Sequence, residues 1–192
     1  MKGVRYILAS GSPRRRELLA KILKDFEIVP SSTEEKEVSG KSPVDLAMDN
    51  AMEKALAVSK MHPDAMVIGA DTVVVLGDVI MGKPKNMEEA IDMLRALSGR
   101  THQVITGVAL VRGETHLSDF EISDVTFKNL DKAIIEEYVE ERKPLDKAGA
   151  YGIQEVMDSF VESLEGDFNN VVGLPTDLVA ELIDNMNMSI SK

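Results

Sequence analysis

Cysteine and tryptophan are both absent from the 192 residues of this chain. Without cysteine there is no disulfide framework, no thiolate nucleophile and no thiolate-held metal. Aromatic residues make up only 4% of the chain, which leaves little surface for stacking the bases of a single strand. Positive charge is scarce as well: 22 basic residues face 33 acidic ones, a formal net charge of -11. A chain this acidic has no general attraction for nucleic acid or for an anionic membrane surface, and neither is expected as a partner. No apolar run approaches the length of a membrane span, and no signal-peptide pattern precedes the first strand-like segment. A soluble cytoplasmic protein is the expectation. The histidines, His62, His102 and His116, lack any spacing that suggests a zinc site or a catalytic triad, and they read as structural. Walker A, dinucleotide-binding and nucleophile-elbow patterns are missing too. Any phosphate chemistry must therefore run on another scaffold.

What remains is an ordinary globular composition, 44% hydrophobic and 29% charged, of a length suited to one domain with a sizeable core. Strand-like and helix-like stretches alternate, with no low-complexity linker and no evident repeat. Tyr6 to Ala9 read as a buried strand. Ser12 as N-cap and Pro13 as first helical residue open a helix that Glu17, Leu18 and Leu19 continue. Phe26 to Val29 read as a second strand, followed by the polar stretch Ser31 to Glu37. Pro43 opens a helix with an apolar stripe at Val44, Ala47, Met48, Ala51, Met52 and Ala55, ending before Pro63. Met66 to Leu76 is an apolar run broken only by Asp71, and Gly77-Asp78 turns it into Val79-Ile80-Met81 as a hairpin. Asn86 and Glu89 form a capping box before a helix that Gly99 stops. Val104 to Val111 and His116 to Phe127 read as long strands, and Asp131 caps a helix that Pro144 terminates. Phe160 to Leu164 and Phe168 to Val172 are further strand candidates, and a last helix follows Pro175. Hairpins mixed with helical crossovers predict an α/β fold with a mixed sheet.

Several residues sit where packing alone does not want them. Arg14, Arg15 and Arg16 crowd the first turn of the first helix, where unpaired N–H groups carry partial positive charge. An anion, most naturally a polyphosphate, would reverse that sign; the plainer reading is three solvated arginines on a surface helix. Asp71 interrupts what should be a central strand buried on both faces. A carboxylate there needs a cation, a metal or several donors; otherwise it caps a turn at a strand end. Gly69 and Ala70 beside it leave room for a close approach. Lys54, at the margin of its helix's apolar stripe, can reach inward or snorkel at the core boundary, and periodicity alone favours snorkelling. Lys83, in a Gly-Lys-Pro loop, can present an ammonium to phosphate or simply lie on the surface. Glu34, Glu35 and Glu37 can bind metal or form a solvated acidic loop. The small-residue segment Asp146 to Gln154 ends in an amide able to read a base edge with one donor and one acceptor; the alternative is a turn leading into a strand.

Taken together, Leu8-Ala9-Ser10-Gly11-Ser12-Pro13-Arg14-Arg15, Glu53-Lys54-Ala55, Gly69-Ala70-Asp71-Thr72, Gly82-Lys83-Pro84, Ser98-Gly99-Arg100-Thr101-His102-Gln103-Val104, Asp146-Lys147-Ala148-Gly149-Ala150-Tyr151-Gly152-Ile153-Gln154 and Asn170-Val171-Val172-Gly173-Leu174-Pro175 resemble the Maf family of nucleoside triphosphate pyrophosphatases. The matches follow family order and span nearly the whole chain. The resemblance implies one α/β domain over residues 1–192, with a long twisted mixed sheet flanked by helices. It implies two lobes around a cleft, as in the inosine triphosphate pyrophosphatases. It further implies cleavage of a nucleoside triphosphate between its α and β phosphates, with Mg²⁺ or Mn²⁺, in a homodimer. The Ala-Gly-Ala-Tyr-Gly-Ile-Gln segment is similar to that of the subgroup acting on dTTP, UTP and modified uridine triphosphates.

Carried over by motif, Asp71 would accept the proton of the attacking water. Ser10, Arg14, Lys54 and Lys83 would hold the triphosphate. Glu35 would bind metal with Asp71 or orient water; the loop Thr33-Glu34-Glu35-Lys36-Glu37 departs from the common family wording, so Glu34 stays open as the alternative. Arg14, Thr72 and Gln154 would tune base specificity. Thr176-Asp177 replaces the usual aliphatic residue after Gly-Leu-Pro, which bears on packing more than on chemistry. Three rival functions remain: a non-catalytic nucleotide-binding regulator of cell division, a nucleic-acid-binding protein using Arg14 to Arg16, against which the net charge of -11 speaks, and a pyrophosphatase of the subgroup that prefers methylated GTP. Clearing noncanonical nucleotides is the role the family suggests.

Overall fold

The computed structural model describes residues 4–33 and 40–190. Among the described residues, seven strands form one sheet: β1 (Tyr6–Leu8), β2 (Glu27–Ile28), β3 (Met66–Leu76), β4 (Val79–Met81), β5 (Thr101–Arg112), β6 (Thr115–Phe127) and β7 (Val161–Glu165). Their order is β2-β1-β3-β5-β6-β7, with β4 paired to β3. β1 runs parallel to both β2 and β3, whereas β3 with β4 and β6 with β7 are antiparallel. The sheet is thus mixed, as the alternation of hairpins and crossovers predicts. The helices are α1 (Pro13–Leu19), α2 (Pro43–Ser59), α3 (Met87–Leu97), α4 (Lys132–Arg142), α5 (Ile153–Val156), α6 (Phe168–Val172) and α7 (Thr176–Ile190), with a 3₁₀ turn at Ala148–Ala150. No helix among the described residues is long and apolar enough to cross a membrane.

The chain divides into two compact units. The first holds the described parts of Met1–Asp71, Thr106–Glu121 and Gly173–Lys192. Its organising contact is α2 on the sheet. Ser42 caps this helix by accepting from the Asp45 amide at 3.1 Å, and Pro43 occupies the first turn. The stripe side of α2 brings Ala51, Ala55 and Val58 against Ile7, Ala9, Val67, Ala109 and Val111. The small side chains let the helix come down onto bare backbone. A Cβ placed on Gly69 would lie 2.3 Å from the Ala51 carbonyl oxygen, and one on Gly107 would lie 2.5 Å from the Ala47 carbonyl. Only glycine fits at either point. This close seating fixes how deep the polar side chains of α2 can reach.

The second unit holds Thr72–Ile105 and Ile122–Val172. Its core is aromatic: Phe127 meets His102, Tyr151 and Phe160 edge-on with ring centroids 4.9, 4.9 and 5.9 Å apart, and Tyr138 meets Phe160 at 5.1 Å. His102 Nε2 shares a 2.7 Å hydrogen bond with the Tyr151 hydroxyl, while its buried Nδ1 has no partner among the described residues. Burial lowers the imidazole from its usual 6.5 to about 4, so the ring is neutral at physiological pH and belongs to the core.

Three local expectations differ from the structure. Phe168 to Val172, a strand candidate in the sequence, is helix α6. Asp167 Oδ1 caps the Asn169 amide at 2.8 Å, and the fully buried Asn170 donates to the Val104 carbonyl at 3.0 Å and to Ser123 Oγ at 2.9 Å. A five-residue segment with apolar residues only at Phe168, Val171 and Val172 does not distinguish helix from strand, and these polar anchors decide it. At α3, Asn86 accepts from the Glu89 amide at 2.9 Å as a capping box requires, but the Glu89 carboxylate takes the Lys85 amide at 2.7 Å instead of that of Asn86. Asp131 precedes α4, yet its side chain makes no capping bond.

Candidate active site

Asp71 lies inside β3 and is only 5% exposed. Two residues of α2 satisfy it. Asn50 and Lys54 are one turn apart and therefore share a face, and both are buried. Lys54 Nζ stands 2.6 Å from Asp71 Oδ1, and Asn50 Nδ2 donates to Asp71 Oδ2 at 3.1 Å. Each carboxylate oxygen thus receives one donor. A carboxylate offers about four lone-pair positions, so capacity remains for a proton, a water or a metal. The seating of α2 on Gly69 explains why two side chains from a helix reach a strand-centre carboxylate. Lys54 does not snorkel: its ammonium turns inward and its side chain is 11% exposed. Sequence reasoning missed Asn50. Its signal is a polar residue set between Ala47 and Ala51 of an apolar stripe, four positions before Lys54.

The loop that precedes α1 belongs to the same unit. Ser10 Oγ accepts the Ser12 amide at 3.2 Å and lies 3.4 Å from Arg15 Nη1, while Ser12 caps α1 by accepting the Arg15 amide at 3.5 Å. Arg15 Nε donates to the Gly173 carbonyl at 2.8 Å. The three arginines therefore occupy three environments, because consecutive helical residues point about 100° apart. Arg15 braces the loop, Arg16 is exposed in the last turn where a cation suits the helix end, and Arg14 is half-buried.

Thr72, Lys83 and Gln154 belong to the second unit; Thr72 is half-buried and the other two are exposed. The Gly82-Lys83-Pro84 loop is tied to the 3₁₀ turn by a 3.1 Å bond from the Gly149 amide to the Gly82 carbonyl. Gln154 is the second residue of the four-residue helix α5, not the approach to a strand. The amide of Gly152, which precedes α5, donates to the Tyr138 hydroxyl at 3.1 Å, and that hydroxyl donates to Glu155 Oε2 at 2.9 Å. Burial first, and then the Glu155 contact, raise the Tyr138 phenol above its ordinary range, against the lowering effect of the Gly152 amide, so it stays a protonated donor. Lys147 Nζ pairs with Asp146 Oδ1 at 2.9 Å and stands 4.0 Å from Glu155 Oε1.

The structure therefore brings Asp71 to Lys54 and Asn50, and joins the Lys83 loop to the segment that carries Gln154. Glu34 and Glu35 lie outside the described residues. Among the described residues no group of three or more histidine, aspartate or glutamate side chains is placed to hold a metal. A buried carboxylate with spare lone pairs can accept a proton or supply one hard oxygen ligand.

The model of the Maf-like proteins matches residues 5–186. A dTTP/UTP pyrophosphatase of Bacillus cytotoxicus is 48% identical over 179 residues, which cover 93% of this chain and 94% of that protein. Another dTTP/UTP pyrophosphatase, from Bacillus mycoides, is 49% identical over 177 residues, covering 92% and 93%. In the crystal structure of a nucleoside-triphosphatase / dITP/XTP pyrophosphatase from Mycobacterium abscessus, 76% of the chain aligns with 66% of this one at 16% identity and a TM-score of 0.44. That distant likeness carries no further argument.

Proposed function

Because the chain belongs to the Maf family, we propose that it hydrolyses dTTP, UTP and modified uridine triphosphates to the nucleoside monophosphate and pyrophosphate. The observation that carries this reading is the buried Asp71 carboxylate, held by Lys54 and Asn50 with lone pairs to spare. Water adds to a phosphorus of the α–β anhydride, the bridging P–O bond breaks, and one water proton passes to Asp71. Lys54 and Asn50 keep the carboxylate aimed, which removes an orientational cost from the transition state. Ser10, Arg14 and Lys83, assigned by motif, hold the phosphates and offset the charge that gathers on the leaving pyrophosphate. Thr72 and Gln154 face the base, with Arg14 contributing to the choice.

Mg²⁺ or Mn²⁺ fits this donor set. Both are hard cations that favour one or two carboxylates completed by substrate phosphates and water, and Asp71 offers a hard oxygen of that kind. Asp71 and Glu35 would hold the ion. When bound, it neutralises phosphate charge and makes water more acidic. The same reading takes residues 1–192 as one pyrophosphatase domain, dimeric and cytoplasmic, that removes noncanonical nucleotides.

A panel of dTTP, UTP, CTP, dGTP and 7-methyl-GTP, assayed for pyrophosphate with and without Mg²⁺ or Mn²⁺, tests the proposal. Pyrophosphate from dTTP and UTP in the presence of metal is the expected result. Tight nucleotide binding without turnover would favour the regulator, and a preference for 7-methyl-GTP would place the chain in the other subgroup.

A further inference from the structure

Gln154 can choose between bases only if its amide is held the right way round. Thymine and uracil present a ring N–H donor beside a carbonyl acceptor, and cytosine reverses that order, so an amide free to turn over reads neither. The helix that carries Gln154 cannot hold it unaided. α5 has four residues, its N-cap is Gly152, and no side chain caps it; a single turn is marginal by itself. In an ordinary capping box Glu155, three residues after the N-cap, would reach back to the N-cap amide. Here a phenol from α4 is inserted into that bond. The Gly152 amide donates to Tyr138 Oη at 3.1 Å, and Tyr138 Oη donates to Glu155 Oε2 at 2.9 Å. Lys147 Nζ closes the far side, 4.0 Å from Glu155 Oε1. The space is also filled: a Cβ on Gly152 would lie 3.1 Å from Lys147 Cε and 3.3 Å from Glu155 Cδ. A capping side chain at 152 would therefore displace Lys147 or Glu155, and Tyr138 does the work from outside the helix.

We propose that Tyr138 and Glu155 are positioning residues for base selection: the phenol-bridged capping box fixes the start of α5 and, through it, the direction of the Gln154 amide. This rests on the reading of Gln154 as a base-contacting residue. The bonds that build the box run among Gly152, Tyr138, Glu155 and Lys147, none of them assigned to the phosphates or to the proton transfer, so its loss is felt in discrimination before it is felt in turnover.

The test measures kcat and KM for dTTP and dCTP on the full chain with saturating Mg²⁺, beside a thermal melt. Wild-type protein discriminates in favour of dTTP, and Gln154→Ala loses that preference. If Gln154→Ala discriminates as well as wild type, the base reading fails and this proposal fails with it. Once that control holds, Glu155→Ala and Tyr138→Phe lower the dTTP-to-dCTP ratio of kcat/KM by about tenfold, the scale of one well-placed hydrogen bond. The loss appears in KM for dTTP, with kcat changed by no more than about threefold. Glu155→Gln keeps an oxygen that accepts from the phenol, and it retains the wild-type ratio. The Glu155 side chain lies at the surface, 30% exposed, so its variants are expected to fold even where Tyr138→Phe does not. An unchanged ratio in Glu155→Ala overturns the proposal while leaving the base reading of Gln154 intact. An equal loss in Glu155→Gln and Glu155→Ala, tracking the melting temperature, overturns it in favour of a purely structural role.

Discussion

Replacing Lys54 by methionine removes a buried ammonium while keeping most of the stem that packs on α2. In the structure Lys54 Nζ lies 2.6 Å from Asp71 Oδ1, with side chains only 11% and 7% exposed. Solvent screening is therefore weak, and the Asp71 carboxylate would keep only the neutral Asn50 amide of its two observed donors. Removing one member of a buried pair costs about 3–5 kcal/mol, because the remaining charge is stranded without compensation. At roughly 2–4 °C per kcal/mol for a chain of this size, the melting temperature should drop by about 6–20 °C. The decisive variant is the double one. Lys54→Met with Asp71→Asn leaves no stranded charge, so it should recover a substantial part of the loss, and the two substitutions should be strongly non-additive. Thermal melts followed by circular dichroism at low and high salt measure both effects. Added salt should rescue little, since a buried pair is poorly screened. A Lys54→Met melt within about 2 °C of wild type, or strict additivity in the double variant, would refute the idea that this pair is buried and mutually compensating.

Gly69→Ala should destabilise the protein by about 1–3 kcal/mol or more, since its new Cβ would meet the Ala51 carbonyl at 2.3 Å and α2 must retreat. The same retreat draws Asn50 and Lys54 away from Asp71, so turnover should fall with stability; wild-type values of both would show that α2 does not rest on the β3 backbone. Acid should act through His102, whose pKa is about 4 in the fold against 6.5 unperturbed. Between those values the unfolded chain binds more protons, so this contribution is complete above pH 6.5 and declines by about 3 kcal/mol on the way down to pH 4. His102→Gln should flatten the stability–pH curve in that window, and an unchanged slope would exclude His102 as its source.

Much of the frame is legible in the sequence, for identifiable reasons. Ser12-Pro13 and Pro43 announce two helix starts because a capping side chain and a pre-set proline φ are local chemistry. Asp71 stands out because a carboxylate in an apolar run must be compensated. The compensation itself was hidden. Lys54 looks like a snorkelling residue on periodicity, and its inward turn depends on how closely α2 seats on Gly69 and Gly107, which are tertiary facts. Asn50 was missed, because one polar residue beside an apolar stripe carries no sign of what it faces. Phe168 to Val172 misled because five residues are too few to show a period and the helix is decided by Asn170 bonds to residues 47 and 66 positions away. The Arg14 to Arg16 run reads in sequence as one crowded cationic turn, whereas helix geometry separates its members and turns Arg15 to the Gly173 carbonyl. The Tyr138 bridge joins residues 14 and 17 apart, and no local pattern announces it.

The role of Asp71 is tested most directly by measuring pyrophosphate formed from dTTP with Mg²⁺, comparing wild-type protein with Asp71→Asn and confirming by circular dichroism that the variant is folded. Asparagine keeps the size of the side chain and removes the proton acceptor. Wild type should form equimolar thymidine monophosphate and pyrophosphate, and Asp71→Asn should lose about 10²–10⁴-fold in kcat, the usual worth of a positioned base, while still binding dTTP. A folded Asp71→Asn protein turning over at close to the wild-type rate would contradict the role of Asp71 as the base.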